Sequence, residues 1–193
     1  MKVRVLYEDQ LASNADIANY APHTLVLKCL YDQSQIAQEF SDIYLLKKMV
    51  LAVPCKGNSN LIKHLDKNQN AYRNAQIAPV CCLDSDRVHE LFGLPKAACK
   101  SEVKVKHWQG HSFANKALVL LERNLEDVLR HAQKLGANFL PSTFDAACRK
   151  NLDARDALIL QTANDPSLRK ALMSNMASFK YLVDSIARLA LLP

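Results

Sequence analysis

A chain of 193 residues, 49% hydrophobic and 23% charged with only four glycines, is long enough to enclose one real core and has the composition of an ordered globular protein, which excludes a disordered or low-complexity chain. Its formal charge of +6 at pH 7 is spread along the sequence, which permits a polyanionic partner without demanding one. No apolar run approaches a membrane span, and the run after Met1 is too short for a signal peptide, so a cytoplasmic protein with no membrane partner is expected.

In chain order, residues 3–7 (VRVLY) are β-branched and aromatic and end abruptly in Glu8 and Asp9, the pattern of a short buried strand with acids at its carboxyl end. Ser13 or Asn14 offers a cap for a short helix that Pro22 interrupts, with a second helix through LVLKCLYD and a third through SQIAQEFSDIYLLKK, where Ile36, Phe40, Ile43 and Tyr44 recur at helical spacing. An apolar strand at 49–53 leads into Pro54, Cys55, Lys56 and Gly57, after which Asn58 or Ser59 can cap a helix through NLIKHLDKN. The next strand, 77–83, delivers Asp84 and Asp86; the one after, Ala117–Leu121, delivers Glu122 and is followed by a helix closed at Gly136. Two further helical stretches occupy roughly 144–162 and 167–192, the second opened by Asp165 as cap and Pro166 in a first helical position.

Strands alternating with helices predict an α/β fold, a mainly parallel Rossmann-like sheet flanked by helices. In such sheets chemistry gathers outside the carboxyl ends of the strands. Here those ends carry Glu8, Lys56 with Gly57, the pair Asp84 and Asp86, and Glu122. Residues two apart in an extended segment point to the same side, so Asp84 and Asp86 can aim at one point. Acids at strand ends also serve merely as helix caps, but several converging carboxylates need a counter-charge. An all-oxygen set suits Mg²⁺ or Mn²⁺ better than zinc, and magnesium is commonly completed by substrate phosphates. The expected substrate is a phosphoester.

The six cysteines, Cys29, Cys55, Cys81, Cys82, Cys99 and Cys148, form no CxxC pair and read as small buried hydrophobes. His107 and His111 have an HxxxH spacing that would place two imidazoles on one helical face, but a glycine lies between them and no acid does, which argues against a metal role.

The order of a strand ending in Glu8, a basic-glycine turn at Lys56 to Asn60 (KGNSN), and a strand ending in the DxD of Asp84 and Asp86 resembles the Toprim domain shared by topoisomerases, primases and the overcoming-lysogenization-defect type nucleases. The likeness covers residues 1–134 as a Toprim-like catalytic domain, with 135–193 as a helical extension packed on it. The chain departs from the family pattern at Asp9, where many members have glycine, and at Ala12, where many have another acid.

The resemblance implies that Glu8, Asp84 and Asp86 hold the metal and are catalytic, that Glu122 and Glu126 help a second ion, and that Lys56 is a transition-state cation. A chain of this size, with no strand-passing or zinc module, then looks most like a Mg²⁺- or Mn²⁺-dependent endonuclease, the toxic effector of an antiphage system partnered by a separate ATPase sensor. Its nucleic acid, DNA rather than RNA, would be met by Lys100, Lys104, Lys106 and Trp108 in KSEVKVKHWQGH, the lysines on phosphates and the indole on a base.

Three other readings compete. Asp86 with Glu102, Val103 and Lys104 imitates a D…ExK nuclease site, provided that EVKVK lies as a strand beside the DSD strand. Glu8 and Asp9, with an aspartate after the third strand, imitate a phosphoacceptor receiver domain, though no lysine follows ALVLL in the required place. The chain could also be a non-catalytic interaction module with a vestigial site, docking a partner ATPase through the helical stripe of Met173, Met176, Phe179, Leu182, Val183, Ile186 and Leu189, a stripe better explained as core.

Overall fold

A computed structural model of the protein describes residues 1–8, 20–84, 106–107, 117–121 and 152–192. The first apolar run forms β1 (Lys2–Tyr7), and it is followed by α1 (Ala21–Tyr31), α2 (Ser34–Glu39) and α3 (Ile43–Met49). Then come β2 (Val50–Pro54), α4 (Asn58–Asn74), β3 (Ile77–Asp84), a two-residue β4 (Lys106–His107) and β5 (Ala117–Leu121). The chain closes with α5 (Leu152–Asn164), α6 (Pro166–Asn175) and α7 (Ala177–Ala190).

The strands make one five-stranded sheet in the order β2-β1-β3-β5-β4. β1 pairs in parallel with β2 on one side and β3 on the other, β5 runs parallel to β3, and β4 is antiparallel to β5 at the far edge. The architecture is therefore α/β with a mainly parallel sheet flanked by helices. From β1 the chain steps outward to β2, then returns across β1 to reach β3. That reversal of strand order makes the carboxyl ends of β1 and β3 a topological switch point, the place where open α/β sheets form a binding crevice.

Burial follows the strand period of two. Val3, Val5 and Tyr7 of β1, Val50 and Ala52 of β2, and Val80 and Cys82 of β3 belong to one large core with Leu25, Val26 and Cys29 of α1 and Phe179, Leu182, Val183 and Ile186 of α7. The intervening residues Leu6, Cys81 and Leu83 are buried outside that cluster, as are Leu61 and Leu65 of α4, which packs against β3. Covering on both faces is what a parallel sheet requires. α7 lies against β1, β3 and β5, so the apolar stripe of the C-terminal helices is spent inside the molecule. Phe179, Leu182, Val183 and Ile186 are all at most 1% exposed, which removes this stripe as a docking face for a partner.

Local chemistry adjusts several expected boundaries. Pro22 sits in the first turn of α1, where its missing N–H costs nothing; the short helix expected before it lies outside the described residues. The single helix expected through SQIAQEFSDIYLLKK is two, because Asp42 is extended and its carboxylate accepts from the Leu45 N–H at 2.9 Å, starting α3 afresh. Asp165 caps α6 as expected, accepting from the Ser167 and Leu168 amides at 2.8 and 3.3 Å. The stretch after it breaks at Met176 into α6 and α7. His107 stands in the strand β4, not on a helix, so the helical HxxxH face does not form at that residue.

One charged clamp joins the helical layer. Arg169 of α6, nearly buried, donates from Nε and Nη2 to the two carboxylate oxygens of Asp32 at 2.6 and 2.9 Å and from Nη1 to the Ala163 carbonyl at 2.6 Å. The two-pronged geometry pins the start of α6 to the end of α1, a use for which the planar guanidinium is suited.

Candidate active site at the carboxyl edge of the sheet

The Glu8 backbone is gripped from both sides. Its N–H donates to the Cys82 carbonyl of β3 at 3.2 Å, and its carbonyl accepts from the Gly57 N–H beyond β2 at 2.5 Å. One step back, the Tyr7 carbonyl accepts from the Cys55 N–H at 2.9 Å. The half-buried Glu8 therefore leaves β1 at a fixed point between the ends of its two neighbours.

The turn after β2 owes its shape to two unusual residues. Lys56 has φ 59°, a left-handed conformation that a residue with a Cβ adopts at a cost of order 1 kcal/mol. Gly57 has φ 113° and ψ 154°, open only to glycine without strain. The Asn60 side-chain amide holds the Lys56 carbonyl at 2.9 Å. Together these turn the chain so that the Gly57 amide reaches Glu8, and α4 starts there with no side-chain cap bond. The exposed Lys56 stands at the same edge as Glu8.

Asp84 closes β3 and pairs in register with Leu121, the last residue of β5, after which Glu122 follows in sequence. Tyr7 pairs with Cys82, which places Glu8 and Asp84 at the same end of adjacent parallel strands. Of the residues expected to act, the structure thus brings Glu8, Lys56 and Asp84 to one edge. Lys106 is set apart from them. It pairs with Leu118, which pairs with Cys81 and so lies level with Leu6, and it is three strand spacings, about 14 Å, from β1. Asp86, Glu122, Glu126, Lys100, Lys104 and Trp108 lie outside the described residues, as do Cys99, His111 and Cys148. Of the EVKVK stretch in the D…ExK reading only Lys106 is among the described residues, and it pairs with β5; Asp86, Glu102, Val103 and Lys104 of that reading lie outside them.

The donors at this edge are hard. Among the described residues no group of three or more histidine, cysteine, aspartate or glutamate side chains stands close enough to hold a metal, and the full carboxylate set includes residues beyond them. Cys55, the cysteine nearest the turn in sequence, has its thiol pushed up to about 11 by burial and donates to the Val53 carbonyl at 3.3 Å. Among the described residues at this edge the thiol is thus engaged elsewhere, and a set of carboxylate oxygens such as the sequence predicts would suit Mg²⁺ or Mn²⁺.

Beside Glu8 lies a buried polar relay that the sequence did not announce. The Tyr7 hydroxyl donates to His23 Nδ1 at 3.0 Å, and His23 Nε2 donates to the Val50 carbonyl at 3.1 Å. The carbonyl can only accept, which fixes the tautomer. Burial lowers the His23 pKa to about 4, with nearby Lys47 adding to the effect and the Val50 carbonyl opposing it. The imidazole in an unfolded chain titrates near 6.5, so between pH 6.5 and 4 the unfolded state binds more protons and stability falls with pH, by roughly 3 kcal/mol in all. Urea unfolding at pH 7 and at pH 4.5 is expected to show that loss in the wild type and a drop smaller by about 2 kcal/mol in His23→Gln. Equal drops in both proteins would remove His23 as the cause.

Compared with protein-family models, curated sequences and solved structures, the chain finds no match in any of the three. What the site can do therefore rests on its own geometry. No helix among the described residues is long and apolar enough to cross a membrane.

Proposed function

We propose that the protein is a metal-dependent nuclease of Toprim-like type, hydrolysing phosphodiester bonds of a nucleic acid, with DNA favoured over RNA. The observation that carries this reading is the clamped position of Glu8, held by backbone bonds to the ends of both β2 and β3 and brought to the end of the sheet where β3 finishes in Asp84. In a doubly wound sheet that crevice is where ligands bind.

In this mechanism Glu8, Asp84 and Asp86 would hold Mg²⁺ or Mn²⁺, and Glu122 and Glu126 would serve a second ion. Bound ions of this kind activate water and stabilise the leaving oxygen of a phosphodiester. Lys56, exposed at the edge and with no ion-pair partner among the described residues, supplies positive charge to the non-bridging oxygens as charge builds there. The α4 amino terminus, free of a side-chain cap bond, turns its backbone amides toward the same edge and favours a phosphate there. A role as the effector of an antiphage pair, with a separate ATPase as sensor, is the biological setting of this proposal and draws on the Toprim resemblance alone.

Calorimetric titration with Mg²⁺ and Mn²⁺ tests the site. Wild type is expected to bind saturably, and the double variant Asp84→Ala, Asp86→Ala to lose that binding while keeping its circular dichroism spectrum. Undiminished binding by the folded double variant would remove the strand-end carboxylates as the metal site.

A further inference from the structure

A concavity lies along the edge strand β2, on the side away from β1. It is a cavity of about 390 Å³ between α1, α3 and β2, within the range typical of small-molecule sites. Its floor is apolar and buried, formed by Leu27, Val50 and Ala52. Three of the large hydrophobic side chains exposed among the described residues gather on the elements around it: Tyr44 at 62%, Leu45 at 40% and Leu51 at 38%.

The polar part of the lining has one sign. Lys47 and Lys48 border the cavity, and Lys48 Nζ lies 4.3 Å from the centre of the Tyr44 ring. Among the described residues neither lysine has a carboxylate within ion-pair distance, and no acidic residue lines the cavity. The imidazole of His23 also borders it, but both its nitrogens are engaged by Tyr7 and Val50. Recognition of a polar group thus falls to the two ammonium groups. Lysines in the last turn of α3 do complement its helix dipole, yet that role accounts for neither the apolar floor nor the exposed tyrosine.

We propose that this cavity is a binding site for a small amphiphilic anion, an aliphatic or aromatic body seated on Leu27, Val50 and Ala52 with one carboxylate or phosphate head between Lys47 and Lys48. The apolar body accounts for the floor, and the single negative head meets two cations that no carboxylate pairs with among the described residues. The site is separate from the carboxyl-edge carboxylates and stands or falls independently of the nuclease reading.

The test is calorimetric titration of the full chain with octanoate, octyl phosphate and octanol. Saturable one-to-one binding of at least one of the two anions, with octanol bound at least roughly tenfold more weakly, is expected. Lys47→Gln, Lys48→Gln changes only partly or fully exposed side chains and should weaken the anion by about tenfold with the melting temperature unchanged. Leu27→Ala, which removes floor and not charge, should weaken octanoate and octanol alike. The proposal is overturned if neither anion saturates, if octanol binds as tightly as the anions, or if the double lysine variant binds the anion as the wild type does.

Discussion

Glu8→Gln is expected to lower nucleic-acid cleavage by at least roughly a thousandfold, about 4 kcal/mol of transition-state stabilisation, with the fold unchanged. The substitution keeps the size and hydrogen-bonding reach of the side chain but removes its charge, and a hard divalent cation discriminates strongly between carboxylate and amide. The backbone grip on this residue, from Cys82 and Gly57, does not involve the carboxylate, so the position of residue 8 should survive the change. Single-turnover cleavage of a labelled duplex in Mg²⁺ and in Mn²⁺, alongside urea unfolding, separates the two effects. A variant with wild-type unfolding and wild-type cleavage would end the nuclease proposal at this site.

Phe179→Ala is expected to cost about 4 kcal/mol of stability, a large share of the 5–15 kcal/mol that a domain commonly has. Phe179 is 0% exposed and belongs to the core cluster shared by α1, α7 and the sheet. Truncation removes its transfer free energy and leaves a cavity, because the surrounding strands and α1 are tied by their own pairings and relax only partly. Leu192→Ala, at a residue 43% exposed, should stay within about 0.5 kcal/mol of wild type and serves as the control. Chemical denaturation of both settles the matter: a loss under about 1 kcal/mol at Phe179 would show that α7 is peripheral to the cooperative unit.

Much of the architecture was legible because local patterns are short-range physics. Residues 3–7 declared a strand by β-branching and an abrupt acidic end, and ALVLL did so by its unbroken apolar run; Asp165 and Pro166 declared a helix start by capping chemistry, and each is found where expected. The break at Asp42 was harder to see. A residue that can cap a helix can also lie within one, and the helical spacing of Ile36, Phe40, Ile43 and Tyr44 carries across the interruption. At Pro22 only the start of the following helix was off, by a few residues: proline fits the first turn of a helix, so α1 begins at Ala21 and includes it.

The candidate site divides along the same line. Glu8 and Lys56 could be picked out as strand-exit residues, and the glycine at 57 marked a special backbone angle that the structure shows as φ 113°. The Tyr7–His23–Val50 relay could not be picked out, since its members are separated by 16 and 27 residues and each is unremarkable in its own segment. The clustering of Tyr44, Lys47 and Lys48 over β2 was equally invisible, because it depends on how α3 turns back onto an edge strand.

By itself, the sequence determined the α/β alternation, the acids at the strand exits and the apolar stripe of the final helices, all of which follow from side-chain period and capping within a few residues. Only the tertiary structure decided that β1 lies between β2 and β3, that β2 is an edge with a cavity beside it, and that α7 covers the sheet. A strand's pattern specifies which faces it buries; its neighbours are chosen by crossover handedness and by which helices can fill each face, and those are properties of the assembled chain.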